Sequence, residues 1–249
     1  MAWLQALDAQ PGVRTLLIRR PGSMASQERR RLIVAETPAD PCQRRLVELD
    51  VELDALPSLD LDALVAAAPP EPRLAQVWLV CTHGTRDRCC AKWGMPVFEA
   101  LRQREADPGR VWQSSHLGGH RFAATFLSLP DGLMWGRFDL AELDTLRGAL
   151  GQGQLATLGS LRGRCCHPRS VQAAEVAVRE REGLVDDAAL VLLDHAPTPA
   201  GGTAVRFVGP DGATRTLEVE RQVMEFEAPP SCGDVPSRQH ALTVLPTQV

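Results

Sequence analysis

The sequence predicts an α/β (α+β) fold, with a middle section that alternates strands and helices, flanked by β-rich segments at both ends of the chain. Three observations lead to this prediction. Apolar, strand-like runs alternate with segments of helical periodicity in the middle third. Both outer thirds contain short segments rich in Val, Leu and Ile that are bounded by Pro and Gly. The 249 residues are enough for one large domain or two small ones.

The N-terminal third is predicted to be β-rich with one helix. Its predicted strands are apolar segments bounded by Pro and Gly: 13–20, 30–36 and 44–53. Residues 58–68 place apolar side chains on one helical face, and Ser58 is the predicted N-cap. The following PPEP at 69–72 breaks the chain and indicates a linker or boundary. We therefore expect residues 1–70 to form an N-terminal β-rich segment.

The middle of the chain, residues 71–185, is predicted to alternate strands and helices. Its predicted strands are 74–80, 110–115, 123–129 and 132–138. The run 74–80 is continuously apolar, as expected for a strand that is buried on both faces. The last two strands flank the turn signal PDG, which predicts a hairpin.

Three helices are predicted within the same domain. The first runs from about Cys90 or Pro96 to Arg104, the second follows Asp139–Glu142, and the third spans 168–182. Pro96 fits a first-turn position or a kink. Asp139 and Glu142 are spaced as a capping box. Gly183 is placed to end the third helix.

The last part of the chain, residues 186–249, is predicted to be a C-terminal β-hairpin segment. Two alternating stretches, 203–208 and 214–223, flank the turn signal GPDG. A further strand is expected at 240–245. No internal repeat or low-complexity tract interrupts the sequence.

Composition and charge exclude several classes of function. The net charge is −4 with no basic stripe, so nucleic-acid binding is not expected, and the one arginine-rich stretch at 19–31 is interpreted as a solvated face. No apolar run approaches the roughly 20 residues of a membrane span, so we expect no membrane association. The N-terminus lacks the features of a secretory signal, which favours a cytoplasmic protein. In that reducing setting the seven cysteines are not expected to form a disulfide framework.

The segment CTHGTRDRCC at 81–90 holds three of the seven cysteines. Eight residues separate Cys81 from Cys90, and seven separate Cys81 from Cys89. Cys81 directly follows the predicted strand 74–80, and sites in α/β sheets gather beyond the carboxyl ends of strands. These cysteines are therefore the first half of a predicted metal site.

The second half is a histidine loop, SSHLGGHRF at 114–122, which follows the next predicted strand. His116 and His120 are separated by three residues, two of which are Gly118 and Gly119. Glycine permits positive φ and disfavours a helix, so the loop can turn both imidazoles toward one point. Although 26 positions separate Cys90 from His116, we expect the two loops to meet in space.

Thiolate and imidazole ligands together suit zinc, copper or an iron–sulfur cluster. A structural zinc knuckle keeps its cysteines two to four residues apart, and the gap between Cys81 and Cys90 is longer. Two cysteines and two histidines also hold the [2Fe–2S] cluster of Rieske centres. Cys81 and His83 repeat only the first half of the Rieske spacing, and His83 is interpreted as a loop residue that hydrogen-bonds to the backbone or to a cluster sulfur. A thiol–disulfide oxidoreductase is the other alternative, although the sequence has no C-x-x-C motif.

Three motifs taken in order, CTHGTRDRCC, SSHLGGHRFAATFLSLPDGLMWGRFD and LRGRCCHPRSVQAAE, resemble the sucrase/ferredoxin-like family of thioredoxin-like ferredoxins. The resemblance implies a thioredoxin-like domain with a central mixed sheet, a [2Fe–2S] cluster and a role in electron transfer. Its cysteine and histidine spacings correspond to four ligands in this chain: Cys81, Cys90, His116 and His120. The word sucrase does not imply sugar hydrolysis, and the sequence has no paired-carboxylate arrangement for it.

The resemblance therefore implies an electron carrier more than a catalyst, acting with a redox partner protein whose identity is unknown. Cys89 is the alternative to Cys90 as a ligand. Further loop residues are expected to support the ligands or to contact the partner: His83, Arg86, Asp87, Gly118, Gly119 and Arg121.

Four cysteines lie outside these loops. Cys165 and Cys166, with His167, are interpreted as a buried small-residue turn, and their approach to the cluster is the alternative. Cys42 and Cys232 are interpreted as isolated structural residues.

Overall fold

The structure is a computed structural model that describes residues 2–21, 29–69 and 76–246. Its α-helices are α1 (Ala2–Asp8), α2 (Leu61–Ala66), α3 (Arg88–Arg104), α4 (Leu143–Gly151) and α5 (Arg169–Glu182). Its strands are β1 (Ile18–Arg19), β2 (Arg29–Glu36), β3 (Arg45–Glu52), β4 (Val77–Cys81), β5 (Val111–Ser114), β6 (Thr125–Leu129), β7 (Leu133–Gly136), β8 (Leu161–Arg164), β9 (Val191–Pro197), β10 (Thr203–Val208), β11 (Thr214–Ala228) and β12 (Ser237–Pro246). No helix in these ranges is both long and apolar enough to cross a membrane.

A mixed six-stranded sheet forms the centre of the fold, in the order β1-β5-β4-β6-β7-β8. β4 and β5 are parallel, and the other neighbouring pairs are antiparallel. The predicted α+β class with a central mixed sheet is therefore confirmed. The predicted hairpin around PDG is confirmed as well, because β6 and β7 pair directly.

β4 is buried along its whole length, as its continuous apolar sequence predicts. Trp78 and Val80 face a core that includes Phe98 of α3 and Leu146 of α4. Leu79 faces the opposite core, which the N-terminal segment covers through Leu46. This two-sided burial fixes the end of β4, and hence the position of the residues that follow it.

The N-terminal segment contributes a separate hairpin and one edge strand. β2 and β3 pair over their full length, close to the predicted bounds. The strand predicted at 13–20 is reduced to the two residues of β1, because the Thr15 N–H donates to the Asp8 side chain instead of to a neighbouring strand. α1 was not predicted. Of the linker expected at 69–72, positions 70–72 lie outside the described residues.

Three helix starts differ from the predictions. α2 begins at Leu61, because Asp60 rather than Ser58 accepts the hydrogen bond from the Ala63 N–H. α3 begins at Arg88, so Pro96 lies in its interior and not in the first turn. Asp139 accepts from the Ala141 N–H and caps a short 3₁₀ turn before α4, which replaces the predicted capping box.

The C-terminal segment is a four-stranded antiparallel sheet in the order β12-β11-β10-β9, and α5 packs on it through Val171, Ala174 and Val178. Gly183 ends α5 in the left-handed conformation, as predicted. β9 was not predicted, and β11 and β12 are longer than expected. β11 has 15 residues, a length of about 50 Å in extended backbone. The β11–β12 hairpin therefore forms an arm, whose tip is residues 229–236.

A buried ion-pair network joins the three parts of the chain. Its members are Arg44, Asp131, Arg164, Glu175, Arg179 and Asp187, three cations and three anions. Arg44 from the N-terminal segment lies 2.6 Å from Asp187 and 2.9 Å from Asp131. Arg164 at the end of β8 lies 2.6 Å from Asp187 and 3.1 Å from Glu175 of α5. Because the charges balance, the network can be buried without a net charge.

Candidate metal centre

The parallel pair β4 and β5 places the two predicted loops side by side. Cys81, the last residue of β4, is the register partner of Ser114, the last residue of β5. His116 follows Ser114 by two residues, and α3 begins seven residues after Cys81. The carboxyl ends of two neighbouring strands and the first turn of α3 therefore meet at one edge of the sheet.

Two buried thiols and one imidazole converge at this edge. The Nδ1 atom of His116 lies 3.9 Å from the Cys81 Sγ and 3.7 Å from the Cys90 Sγ. The three ligand atoms all lie within 4.8 Å of one another. Both cysteines are fully buried, whereas the His116 side chain keeps 22% of its surface exposed. The group is thus closed on its sulfur side and open on its imidazole side.

The two thiols differ in pKa. A hydrogen bond from Cys90, together with backbone N–H groups of His83 and Leu117, lowers the pKa of Cys81 to about 5 despite its burial. The same hydrogen bond raises the pKa of Cys90. The site therefore favours the thiolate form at Cys81 and the thiol form at Cys90, whose proton a metal ion would displace.

Asp87 connects the cysteine loop to both histidines. Its side chain is 1% exposed, and its Oδ2 lies 3.8 Å from the Nδ1 of His116 and 3.8 Å from the Nδ1 of His120. In the described part of the chain this oxygen has no hydrogen-bond partner. Burial raises the pKa of Asp87, but hydrogen bonds from the Ser231 hydroxyl and the Cys232 N–H outweigh it and hold the pKa below its ordinary value. A buried carboxylate thus faces the two imidazoles.

His120 lies farther from the thiols than His116 does. The two imidazole centres are 6.5 Å apart, and His120 joins the group through Asp87 and not through a cysteine. The loop between them turns at Gly118 (φ 93°) and Gly119 (φ 66°), as the glycine pair predicts. The structure therefore brings Cys81, Cys90 and His116 together directly, and places His120 beside them with a side chain that is 15% exposed.

Cys89 points away from this group. Its Sγ lies 3.3 Å from the Sγ of Cys232 and 3.5 Å from the carbonyl oxygen of His120. Burial, followed by the hydrogen bond with Cys232, raises the pKa of Cys89 to about 11. The interpretation of Cys232 as an isolated residue is wrong, because the tip of the β11–β12 arm carries it to the start of α3.

Cys165 and Cys166 lie at the opposite end of the sheet. The Cys165 N–H donates to the carbonyl oxygen of Gly132, three residues beyond Leu129, which pairs with Val77 at the start of β4. Both cysteines are exposed, so the interpretation as a buried turn is wrong. The alternative, in which they approach the cluster, is wrong as well, because Cys81 lies at the other end of β4.

Sequence reasoning missed the contribution of three residues to the site: Ser231, Cys232 and Gly94. Ser231 and Cys232 come from the tip of the arm and donate hydrogen bonds to Asp87, and no local sequence motif predicts these contacts. Gly94 in α3 packs against the carbonyl oxygen of Cys81, with no room there for a Cβ atom. Arg121 donates to the Gln239 side chain of β12, so it links the histidine loop to the arm.

Buried thiols beside an imidazole at the strand ends of an α+β domain define a class of protein that can hold a metal ion or a metal cluster. A comparison with protein families matches residues 20–163 to the sucrase/ferredoxin-like family. The chain belongs to this family, and the matched range includes Cys81, Cys90, His116 and His120. Comparisons with curated proteins and with solved structures found no match.

Proposed function

We propose that the protein is an electron carrier that holds a [2Fe–2S] cluster through Cys81, Cys90, His116 and His120. The observation that carries the proposal is the convergence of two buried thiols and the His116 imidazole at the end of β4. Membership of a family described as ferredoxin-like supports it. Such a cluster supplies the reversible uptake of one electron when it is bound.

The residues present fit this group. Sulfur and imidazole nitrogen are the donors that iron–sulfur centres with mixed ligands use. The site lowers the pKa of Cys81 and raises that of Cys90, so a bound metal would displace mainly the proton of Cys90 and would neutralise the buried thiolates. Cys90 is preferred to Cys89 because only the Cys90 sulfur contacts His116.

The two sides of the site have different roles in this proposal. The cysteines anchor the site in the core, whereas the side chains of His116 and His120 are 22% and 15% exposed. Electrons therefore enter and leave on the histidine side, where a redox partner protein can approach. Trp93, about half exposed on α3, lines the same face together with His120.

The histidines also supply a proton-binding function. An imidazole bound through one nitrogen keeps a titratable proton on the other. The Asp87 Oδ2 lies 3.8 Å from the Nδ1 atom of each ring, so a carboxylate borders both histidines. Reduction of a bound cluster would add negative charge beside the remaining imidazole proton, so electron and proton uptake are coupled.

The midpoint potential is therefore expected to fall as the pH rises over part of the range from about pH 6 to pH 10. Neutral histidines in place of thiolates should also set the midpoint potential above those of all-cysteine plant-type ferredoxins, which are about −400 mV. Redox titration monitored by absorbance measures both effects. His120→Cys should lower the potential and reduce its dependence on pH, and a flat profile in the wild-type protein would count against histidine ligation.

Metal and sulfide content tests the proposal itself. Anaerobically purified protein should be red-brown and contain iron and acid-labile sulfide in equal amounts. Cys81→Ser, Cys90→Ser and His116→Ala should each lose most of both. Cys89→Ser is the matched control, since it alters the neighbouring thiol and should retain the cluster. Protein without inorganic sulfide would overturn the proposal.

A structural zinc site is the second candidate, and the same distances favour it. The three ligand atoms lie within 4.8 Å of one another, close enough to surround one tetrahedral ion. In that case the purified protein would be colourless and would contain zinc without sulfide. The content measurement therefore separates the two candidates directly.

A further inference from the structure

We propose that Cys89 and Cys232 are a redox modification site: they form a reversible disulfide that ties the tip of the β11–β12 arm to the start of α3. The two Sγ atoms lie 3.3 Å apart, although 143 positions separate the residues in the sequence. A disulfide requires about 2.05 Å, so the two sulfurs must approach by a further ~1.3 Å to bond. Neither residue is among the four proposed cluster ligands.

The surroundings of the pair give a reagent access to it. Cys232 is exposed and Cys89 is partly exposed. Both line an open groove of about 310 Å³ together with Trp93, His120 and Pro229. A small disulfide can thus react with Cys232 first, and Cys89 is close enough to attack the mixed disulfide that forms there.

The chemistry is thiol–disulfide exchange with a low-molecular-weight disulfide such as oxidised glutathione. The Cys232 thiolate attacks the disulfide, one glutathione thiol leaves, and a mixed disulfide forms. Cys89 then gives up its proton, its thiolate attacks the Cys232 sulfur, and the second glutathione leaves as a thiolate that takes up a proton. One disulfide bond is broken and one is formed, the two protein thiols are oxidised by two electrons, and their two protons remain on the two glutathione thiols.

The arm tip is already docked at the position where the bond would hold it. Ser231 and the Cys232 N–H both donate to Asp87, and Arg121 donates to Gln239 at the base of the tip. A disulfide between Cys89 and Cys232 would hold the tip in this docked position until the disulfide is reduced. It would therefore keep the tip against the groove that His120 lines, on the face where electrons enter and leave in the proposed function.

Peptide mapping of the full-length protein tests the bond. The protein is incubated with oxidised glutathione or with dithiothreitol, remaining thiols are alkylated, and trypsin releases Cys89 with Cys90 in residues 89–92 and Cys232 in residues 222–238. We expect the two peptides to be recovered as one cross-linked species after oxidation and as separate alkylated peptides after reduction. Cys89→Ser and Cys232→Ser should abolish the cross-link, and Cys42→Ser, which changes an exposed cysteine elsewhere, should not.

The Cys90→Ser variant separates this proposal from the proposed function. It should lack iron and sulfide, yet it should still form the cross-link, now with Cys89 as the single cysteine of its peptide. A wild-type protein that retains free or separately glutathionylated Cys89 and Cys232 would overturn the proposal. Protection of both thiols that a zinc chelator removes would also overturn it, because the pair would then be a metal site.

Amide hydrogen exchange supplies a second readout, which concerns the docking of the tip. In the oxidised protein the amide of Cys232 should exchange at least tenfold more slowly than in the reduced protein, whereas amides of α4 should be unchanged. Equal exchange in the two states would show that the bond does not hold the tip in place.

Discussion

Asp187→Asn is expected to lower the free energy of unfolding by about 3–5 kcal/mol, the usual cost of removing one partner from a buried ion pair. The Asp187 carboxylate accepts hydrogen bonds from two arginines, Arg44 and Arg164, at 2.6 Å each. An asparagine keeps the shape of the side chain but removes its charge. Both guanidinium groups would then be buried with fewer anions than cations around them.

The same substitution at Asp131 should cost clearly less. Burial raises the pKa of Asp131, and the attraction of Arg44 does not compensate for it. Burial also raises the pKa of Asp187, but the charges of Arg164 and Arg44 outweigh it, so the pKa of Asp187 lies below its ordinary value. The fold therefore favours the charged form at Asp187 and disfavours it at Asp131, relative to an ordinary carboxyl, so removing the charge at Asp131 costs less.

Urea unfolding of the two variants and of the wild-type protein at about pH 7 measures this difference. Asp194→Asn is a suitable control, because Asp194 pairs with Arg206 on the surface and its loss should barely change stability. Equal losses for Asp187→Asn and Asp131→Asn would contradict this difference between the two carboxylates.

The pH dependence of the Asp187→Asn effect has a definite sign. Because the folded pKa is depressed, the contribution of Asp187 is present above its ordinary value of 3.8 and is lost as the pH falls through the lower folded pKa. The stability difference from wild type should thus be constant between about pH 7 and pH 5 and should shrink only in stronger acid. A difference that disappears already near neutral pH would indicate another cause.

The sequence predicted the local parts of this fold well. β4 could be found because its apolar run is continuous, and the β6–β7 hairpin because PDG separates two apolar segments. The position of the cysteine and histidine loops followed from the same reasoning, since both loops come directly after buried strands. Patterns of a few residues carry such information, because they depend on backbone geometry and on burial alone.

Contacts between distant parts of the chain could not be predicted in this way. The hydrogen bond from the Cys232 N–H to Asp87 spans 145 positions, and the ion pair between Arg44 and Asp187 spans 143. Each depends on how separate elements pack, which no local pattern records. The N-cap of α2 shows a smaller version of the problem: Ser58 and Asp60 are both suitable residues, and the short 3₁₀ helix that ends at Ser58 decides between them.

The close contact between α3 and β4 leads to the second large effect. Gly94 of α3 lies against the backbone of Cys81, and a Cβ atom there would overlap the Cys81 carbonyl oxygen. Backbone cannot rotate away as a flexible side chain does, so α3 and the end of β4 must move apart. We expect Gly94→Ala to lower the free energy of unfolding by about 1–3 kcal/mol or more.

Gly148→Ala is the matched control, because Gly148 lies in α4 with open space where its Cβ would be. There alanine should stabilise the protein by about 0.5–1 kcal/mol, through its higher helix propensity. The opposite signs of the two changes would separate the contact with Cys81 from the general effect of alanine in a helix. Gly94→Ala should also lower the metal content of the purified protein, because the overlap displaces a proposed ligand. If Gly94→Ala were as stable as the wild-type protein, α3 would not pack on Cys81 as described.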